Sequence, residues 1–170
     1  MNEIEVKILD VDVASTVQRL LDLGAKKTFE GAIAASYFNF PQRPLEYPLR
    51  LRKKGDLVEL CYKKPISLVG AKSMAEYETH VESYDATREL LLAMGMVDIS
   101  AQGMTKHRTS YRLGDALYEF DTFPGLPTLL EVEANSMPVL ERAVETIGYT
   151  MADTRPWSGK DVIEHYAKRG

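Results

Sequence analysis

A single cysteine, Cys61, excludes an internal disulfide. No apolar run approaches the roughly 20 residues a membrane-spanning helix needs. The start Met1-Asn2-Glu3-Ile4-Glu5 lacks the basic and apolar segments of a secretory signal. A cytoplasmic protein without a membrane partner is therefore expected. A basic excess is missing too: 21 Lys and Arg stand against 25 Asp and Glu, for a net charge of −4. That argues against a duplex nucleic-acid partner but leaves room for a local basic pocket. Low-complexity segments and linkers are absent, so the 170 residues read as a single domain over 1–170. A chain of this length buries about two-thirds of its unfolded surface.

What is present is a recurring pattern of cap, helix and glycine. Residues 13–23 follow Asp12 and stop at Gly24; residues 86–94 follow Asp85 and stop at Gly95. Residues 137–147 follow Ser136, carry Pro138 in the first turn and stop at Gly148. Residues 159–168 follow Ser158, with Asp161 three residues on. Short polar side chains satisfy the orphan N–H groups of a first turn, and glycine accepts the left-handed exit. The first three helices each follow an acid-bearing strand, which makes a weak internal repeat.

The remainder alternates with period two. Eight strands are predicted, at about 2–9, 29–40, 48–54, 57–64, 74–82, 103–113, 116–122 and 128–135. Gly55-Asp56 and Gly114-Asp115 are hairpin signals, which make the joined strands antiparallel. The class is α+β, with helices packed on an antiparallel sheet.

Alternation places residues i and i+2 on one face. Here that face is charged in strand after strand: Glu3, Glu5 and Lys7; Arg50 and Arg52; Glu59, Cys61 and Lys63; Glu76, Glu78 and His80; Lys106, Arg108 and Ser110; Glu119 and Asp121; Glu131 and Glu133. A one-sided sheet with its charged face in water is the plain reading. Two features weigh against it. Like charges recur within strands, and each such pair at about 6 Å costs roughly 3 kcal/mol at an effective dielectric near 20. Eight antiparallel strands also suffice to close a barrel, which removes exposed edges and turns the charged face inward. Enclosed charges must pair with each other or with ligands. Paired carboxylates suit Mg²⁺ or Mn²⁺, and fixed arginines and lysines suit phosphate oxygens.

Glu3-Ile4-Glu5-Val6-Lys7 resembles the Glu-x-Glu-x-Lys start of the CYTH family, the triphosphate tunnel metalloenzymes. Leu49-Arg50-Leu51-Arg52, Cys61-Tyr62-Lys63, Glu76-Tyr77-Glu78, Lys106-His107-Arg108, Asp121 and Leu130-Glu131-Val132-Glu133 resemble that family's later motifs in order. The resemblance implies a closed eight-stranded antiparallel β-barrel, or tunnel, with helices packed on the outside. It implies Mg²⁺ or Mn²⁺ and a triphosphate-bearing small molecule: tripolyphosphate, ATP or thiamine triphosphate. By the likeness, Glu3, Glu5, Asp121, Glu131 and Glu133 hold metal. Lys7, Arg50, Arg52, Lys63, Lys106 and Arg108 clamp phosphates. Glu5, Lys7, Asp121, Glu76 and Glu78 carry the catalysis, Glu76 and Glu78 through a second metal or an oriented water. The implied activity is a triphosphatase; the alternatives are an adenylyl cyclase making cyclic AMP and pyrophosphate, and a non-catalytic polyphosphate or nucleotide binding module. Departures from the family pattern are Ala35-Ser36-Tyr37-Phe38-Asn39, Cys61 in place of Thr and Lys64 in place of Gly. Oligomeric state stays open, a homodimer being one of the states the sequence allows.

Overall fold

A computed structural model describes residues 2–67, 71–100 and 104–169; the side chains of Asn2, Glu3, Ser67 and Met104 lie outside that description. Ten strands and four helices are found among the described residues. In chain order they are β1 (Asn2–Ile8), α1 (Val13–Asp22), β2 (Lys26–Asn39), β3 (Leu49–Lys54), β4 (Leu57–Ser67), β5 (Lys72–Val81), α2 (Tyr84–Ala93), β6 (Val97–Asp98), β7 (Met104–Leu113), β8 (Ala116–Thr122), β9 (Leu129–Ala134), α3 (Met137–Thr146), β10 (Thr154–Arg155) and α4 (Gly159–Ala167).

The long strands run in the order β1-β5-β4-β3-β2-β7-β8-β9, and β9 pairs back onto β1. The sheet is thus closed, an eight-stranded antiparallel β-barrel in an α+β fold. The two short strands extend it at its margin: β6 pairs with β2 and β10 with β1. Both turns predicted as hairpins are two residues long and open on a glycine with positive φ, 60° at Gly55 and 57° at Gly114. A side chain at that position would be strained.

The helix ends follow the predicted chemistry with two differences. Asp12 accepts from the Ser15 N–H, and Ser158 with Asp161 forms a reciprocal capping box. Helix α2 starts earlier than expected, because the extended residue that caps it is Ser83, whose hydroxyl accepts from Ala86 N–H. Asp85 then sits in the first turn, where its charge meets the positive end of the helix. Ser136 makes no side-chain cap bond, and proline occupies the first turn instead. The repeat of helix and glycine holds three times: Gly24, Gly95 and Gly148 have φ of 85°, 88° and 89°. The residues after the first two, Ala25 and Met96, bond back to Leu20 and Leu91 carbonyls.

The chain groups into two compact units. One comprises Gly31–Lys64 and Ala75–Lys106, the other Asn2–Glu30, Pro65–Met74 and His107–Gly170. The first unit's core joins Phe38, Leu51 and Val58 to Leu91 of α2 and to Met96. The second unit's core joins Val6 and Ile8 of β1, Tyr118 and Phe120 of β8, and Leu130 and Val132 of β9 to Leu20 of α1 and Leu140 and Val144 of α3. In both, alternate strand residues face helices, as the period-two pattern requires. The C-terminal segment belongs to the second unit: Val162 of α4 is fully buried and the Tyr166 hydroxyl donates to Asp10 at 2.7 Å. No helix among the described residues is long and apolar enough to cross a membrane.

Tyr118 gives this core a pH signature. Its hydroxyl donates to the Ala143 carbonyl at 3.0 Å, and burial pushes its pKa from 10.0 up to about 12. Below pH 10 both folded and unfolded chains hold this proton. Between about 10 and 12 the unfolded chain loses it first, so stability falls as pH rises, by about 3 kcal/mol at completion for a two-unit shift. Urea melts of Tyr118→Phe at pH 9 and pH 11.5 should show a shallower alkaline loss than the parent protein. Equal losses would contradict this origin.

Candidate active site

Strand register assembles a charged cluster in the second unit. Ser110 lies opposite Glu119, Glu119 opposite Glu131, and Glu131 opposite Lys7, one row across β7, β8, β9 and β1. Arg108 lies opposite Asp121, and Glu5 opposite Glu133. All point away from the face covered by α1 and α3. That face is nevertheless buried: Asp121 is 1% exposed, Glu119 2%, Lys7 and Arg108 4%, and Glu5 5%. These values exclude the one-sided sheet, whose charged face would meet water.

The charges are matched group by group. Arg108 donates Nε and Nη2 to the two oxygens of Asp121, both at 2.6 Å, a bidentate fork. Its other terminal nitrogen reaches Glu119, and Nη2 lies 3.5 Å from Glu131. Ser110 donates to Glu119 at 3.1 Å. Lys7 Nζ lies 2.5 Å from Glu131 and 3.1 Å from Glu5. Lys72 Nζ lies 2.9 Å from the same Glu5 oxygen. Burial alone would lower the Lys7 pKa, but the charges and hydrogen bonds of Glu131 and Glu5 outweigh it and hold the ammonium above the usual lysine range. Arg108 is likewise lowered by burial and raised further by Asp121 and Glu131, so it stays charged. Repulsion along each strand, expected from spacing, is offset by cations reaching from the same or other strands.

The first unit carries its own set. Arg52 Nε donates to Glu59 at 2.6 Å, and its Nη2 lies 3.5 Å from Glu78. Arg50 Nη2 lies 3.7 Å from Glu78, and Lys63 pairs with Glu76. The buried Nε of Arg50 has no hydrogen-bond partner among the described residues, so this arginine keeps a donor for an incoming acceptor. Cys61 lies opposite Arg50, fully buried, and desolvation pushes its thiol pKa up. That environment favours packing over nucleophilic chemistry. Lys106 is half-buried in β7. Glu3 lies in β1, but its side chain is outside the described residues.

The two sets differ in charge. In the first unit Arg50, Arg52, Lys63 and Lys106 stand with Glu59, Glu76 and Glu78, four basic side chains to three acidic ones. In the second unit, Lys7, Lys72 and Arg108 stand among Glu5, Glu119, Asp121, Glu131 and Glu133, so that acidic side chains outnumber the unit's own basic ones. One oxygen each from Glu119, Glu131 and Glu133 lie within 4.8 Å of one another. At that separation each carboxylate pair costs roughly 3–4 kcal/mol at an effective dielectric near 20. Oxygens bound to Mg²⁺ at about 2.1 Å stand at most about 4.2 Å apart. Hard oxygen donors that need only a small contraction fit a divalent cation.

Three charged residues of these networks, Glu119, Glu59 and Lys72, and the hydroxyl of Ser110 lie outside the sequence-based site. Glu119 and Glu59 were visible as alternating members of the charged face, but the family motifs do not name them. Lys72 precedes the predicted start of its strand at residue 74, so alternation never reached it. Phe38, within the segment that departs from the family pattern, is fully buried in the first core. A cavity of about 200 Å³ lies on the second unit's helix-covered face, lined by Val13, Val17, Tyr111 and Phe120 among others, and holds none of the predicted residues.

The Arg108 fork makes a stability prediction. Arg108→Met leaves Glu119 and Asp121 buried beside other acids without their main cation, and such losses cost about 3–5 kcal/mol. Lys27→Met breaks only the exposed Lys27–Glu30 pair. Urea denaturation should therefore show a large drop for the first and no resolvable change for the second; comparable small changes would contradict the pairing described.

The CYTH domain model matches residues 1–149 of the chain. Comparison with curated proteins gives no match. Among solved structures, a candidate adenylate cyclase from Vibrio parahaemolyticus superposes with a TM-score of 0.81 at 18% identity, over 95% of this chain and 97% of that one. PH1012 from Pyrococcus horikoshii OT3 gives 0.77 at 21% identity, over 92% and 96%. HpAC1 from Hippeastrum, a candidate adenylyl cyclase whose structure is described as revealing a dominant triphosphatase activity, gives 0.64 at 14% identity, over 96% and 95%. At these identities the structural likenesses establish the fold. The domain match takes in every long strand of the barrel and all the charged residues described above, and by it this chain belongs to the CYTH family.

Proposed function

We propose that the chain is a divalent-metal-dependent triphosphatase that cleaves the terminal phosphoanhydride of a triphosphate-bearing small molecule. The observation that carries this reading is the second unit's carboxylate cluster, in which Glu119, Glu131 and Glu133 bring one oxygen each within 4.8 Å of one another. Glu5, Asp121, Glu131 and Glu133, with Glu119, supply the oxygens for Mg²⁺ or Mn²⁺, and the family likeness adds Glu3. The ion would polarise phosphoryl oxygens and offset charge on the leaving group.

The chain's own residues do the rest. With a cation held among the carboxylates, Lys7 and Arg108 would be released from them and would take phosphate oxygens. By the family likeness Arg50, Arg52, Lys63 and Lys106 share that task. Arg50 enters it with a donor already available. Glu76 and Glu78, tied to Lys63 and to the two arginines, orient those cations. In the reaction a water oxygen bonds to the terminal phosphorus and the bridging P–O bond breaks. The bond pair leaves with the diphosphate, and a cluster carboxylate takes the water's proton. Positioning and charge neutralisation dominate such chemistry, which needs no protein nucleophile.

Incubation with tripolyphosphate, thiamine triphosphate or ATP plus Mg²⁺ or Mn²⁺ tests this reading. Free phosphate is expected, together with the matching diphosphate. Cyclic AMP and pyrophosphate from ATP would instead assign a cyclase, in which the ribose 3′-hydroxyl attacks the α-phosphorus. Intact but bound substrate would assign a binding module. Glu131→Gln should lower metal-dependent turnover by at least about a hundredfold, the scale of losing a stabilising group that acts on the transition state. Undiminished turnover would remove Glu131 from the metal set.

A further inference from the structure

We propose that Lys72 is an additional triphosphate-binding residue, held on Glu5 until a cation takes that carboxylate. The inference rests on the triphosphatase reading above and deepens it. Lys72 opens β5, and alternation puts it on the same face as Glu76 and Glu78. Its side chain is 14% exposed, so its charge is largely withdrawn from water.

Glu5 holds two ammonium groups with one oxygen, Lys72 at 2.9 Å and Lys7 at 3.1 Å. The two lysines are not equivalent. Lys7 has a second and closer carboxylate in Glu131, at 2.5 Å. For Lys72, Glu5 is the single carboxylate within ion-pair distance among the described residues. When Glu5 and Glu131 turn to a divalent cation, Lys7 is released together with Lys72, which loses the carboxylate it was paired with. Lys72 then keeps the longer-range field of Asp161 but has lost its carboxylate at ion-pair distance beside a newly cationic centre, a state that favours an arriving anion. A phosphate oxygen supplies that anion, and three ammonium protons on a flexible stem can reach it. The structural alternative is that Lys72 serves only as the counter-ion of Glu5.

Calorimetric titration of the full chain with tripolyphosphate, with and without Mn²⁺, separates the two. If Lys72 binds phosphate, Lys72→Gln raises the tripolyphosphate Kd in Mn²⁺ by about tenfold or more, the scale of one charge-assisted hydrogen bond. Lys72→Arg recovers most of that loss, and Lys27→Gln, which also removes one positive charge, changes nothing. If Lys72 is only a counter-ion, Lys72→Gln lowers the melting temperature, tightens Mn²⁺ binding at the freed Glu5, and leaves the tripolyphosphate Kd unchanged. That result overturns the proposal while the triphosphatase reading stands. A wild-type chain that binds no tripolyphosphate overturns the reading itself, and the proposal with it.

Discussion

Charge removed from water must be matched nearby, and this requirement governs the whole second unit. Arg108 is the pivot. Its guanidinium touches Asp121, Glu119 and Glu131, carboxylates on two strands, while being 4% exposed. A lysine could not replace it, because a point charge cannot hold both oxygens of Asp121 and still reach a second strand. The strand register is what makes this feasible. A shift of one residue in β8 would carry Glu119 and Asp121 to the helix side, where Tyr118 and Phe120 now pack. The ionic face and the hydrophobic core therefore enforce the same register from opposite sides of the sheet.

Stability alone does not account for that face. Glu5 opposite Glu133 and Glu119 opposite Glu131 are like-charge cross-strand pairs, which are unfavourable even on exposed sheets. Apolar residues of similar volume would be neutral or better at such positions. The first unit shows that the same fold can hold a set without that acidic bias, with Arg50, Arg52, Lys63 and Lys106 beside Glu59, Glu76 and Glu78. Within one chain, then, the excess of carboxylate is confined to one unit. That localisation is hard to attribute to a general habit of the sequence, whose net charge is only −4 over 170 residues. It fits a place reserved for a divalent cation.

Much of this was legible in the sequence because the period-two signal is unusually regular. The eight long strands, both hairpin turns and the glycine exits of three helices were all readable, since each rests on local chemistry. The failures share a different cause. The two-residue strands β6 and β10 have no periodicity to detect, and pair only with the last residues of β2 and β1 at the barrel margin. Ser83 displaced Asp85 as a cap because cap position depends on where the preceding strand stops, which is not local. Lys72 is a similar case: its partner Glu5 is 67 residues away, and nothing near it in the chain announces the contact. The pairing of opposite charges was equally hidden. Spacing along a strand reports repulsion, whereas the relief comes largely from neighbouring strands.

That relief has a consequence for how such a site works. In the protein without ligand, the groups assigned to metal and the groups assigned to phosphate neutralise each other, as Glu5 with Lys7 and Lys72 and Asp121 with Arg108. An anion alone would strip cations from buried carboxylates, and a cation alone would strip carboxylates from buried ammonium and guanidinium groups. Each change by itself leaves uncompensated charge in a medium where that costs several kcal/mol per ion. Only a ligand that brings both signs together exchanges every internal pair for an external one. A metal–polyphosphate complex has that property, and a monophosphate or a bare cation has it to a lesser degree. Selectivity for the complex can thus arise from the protein's own ion pairs, before any contact with whatever the triphosphate carries.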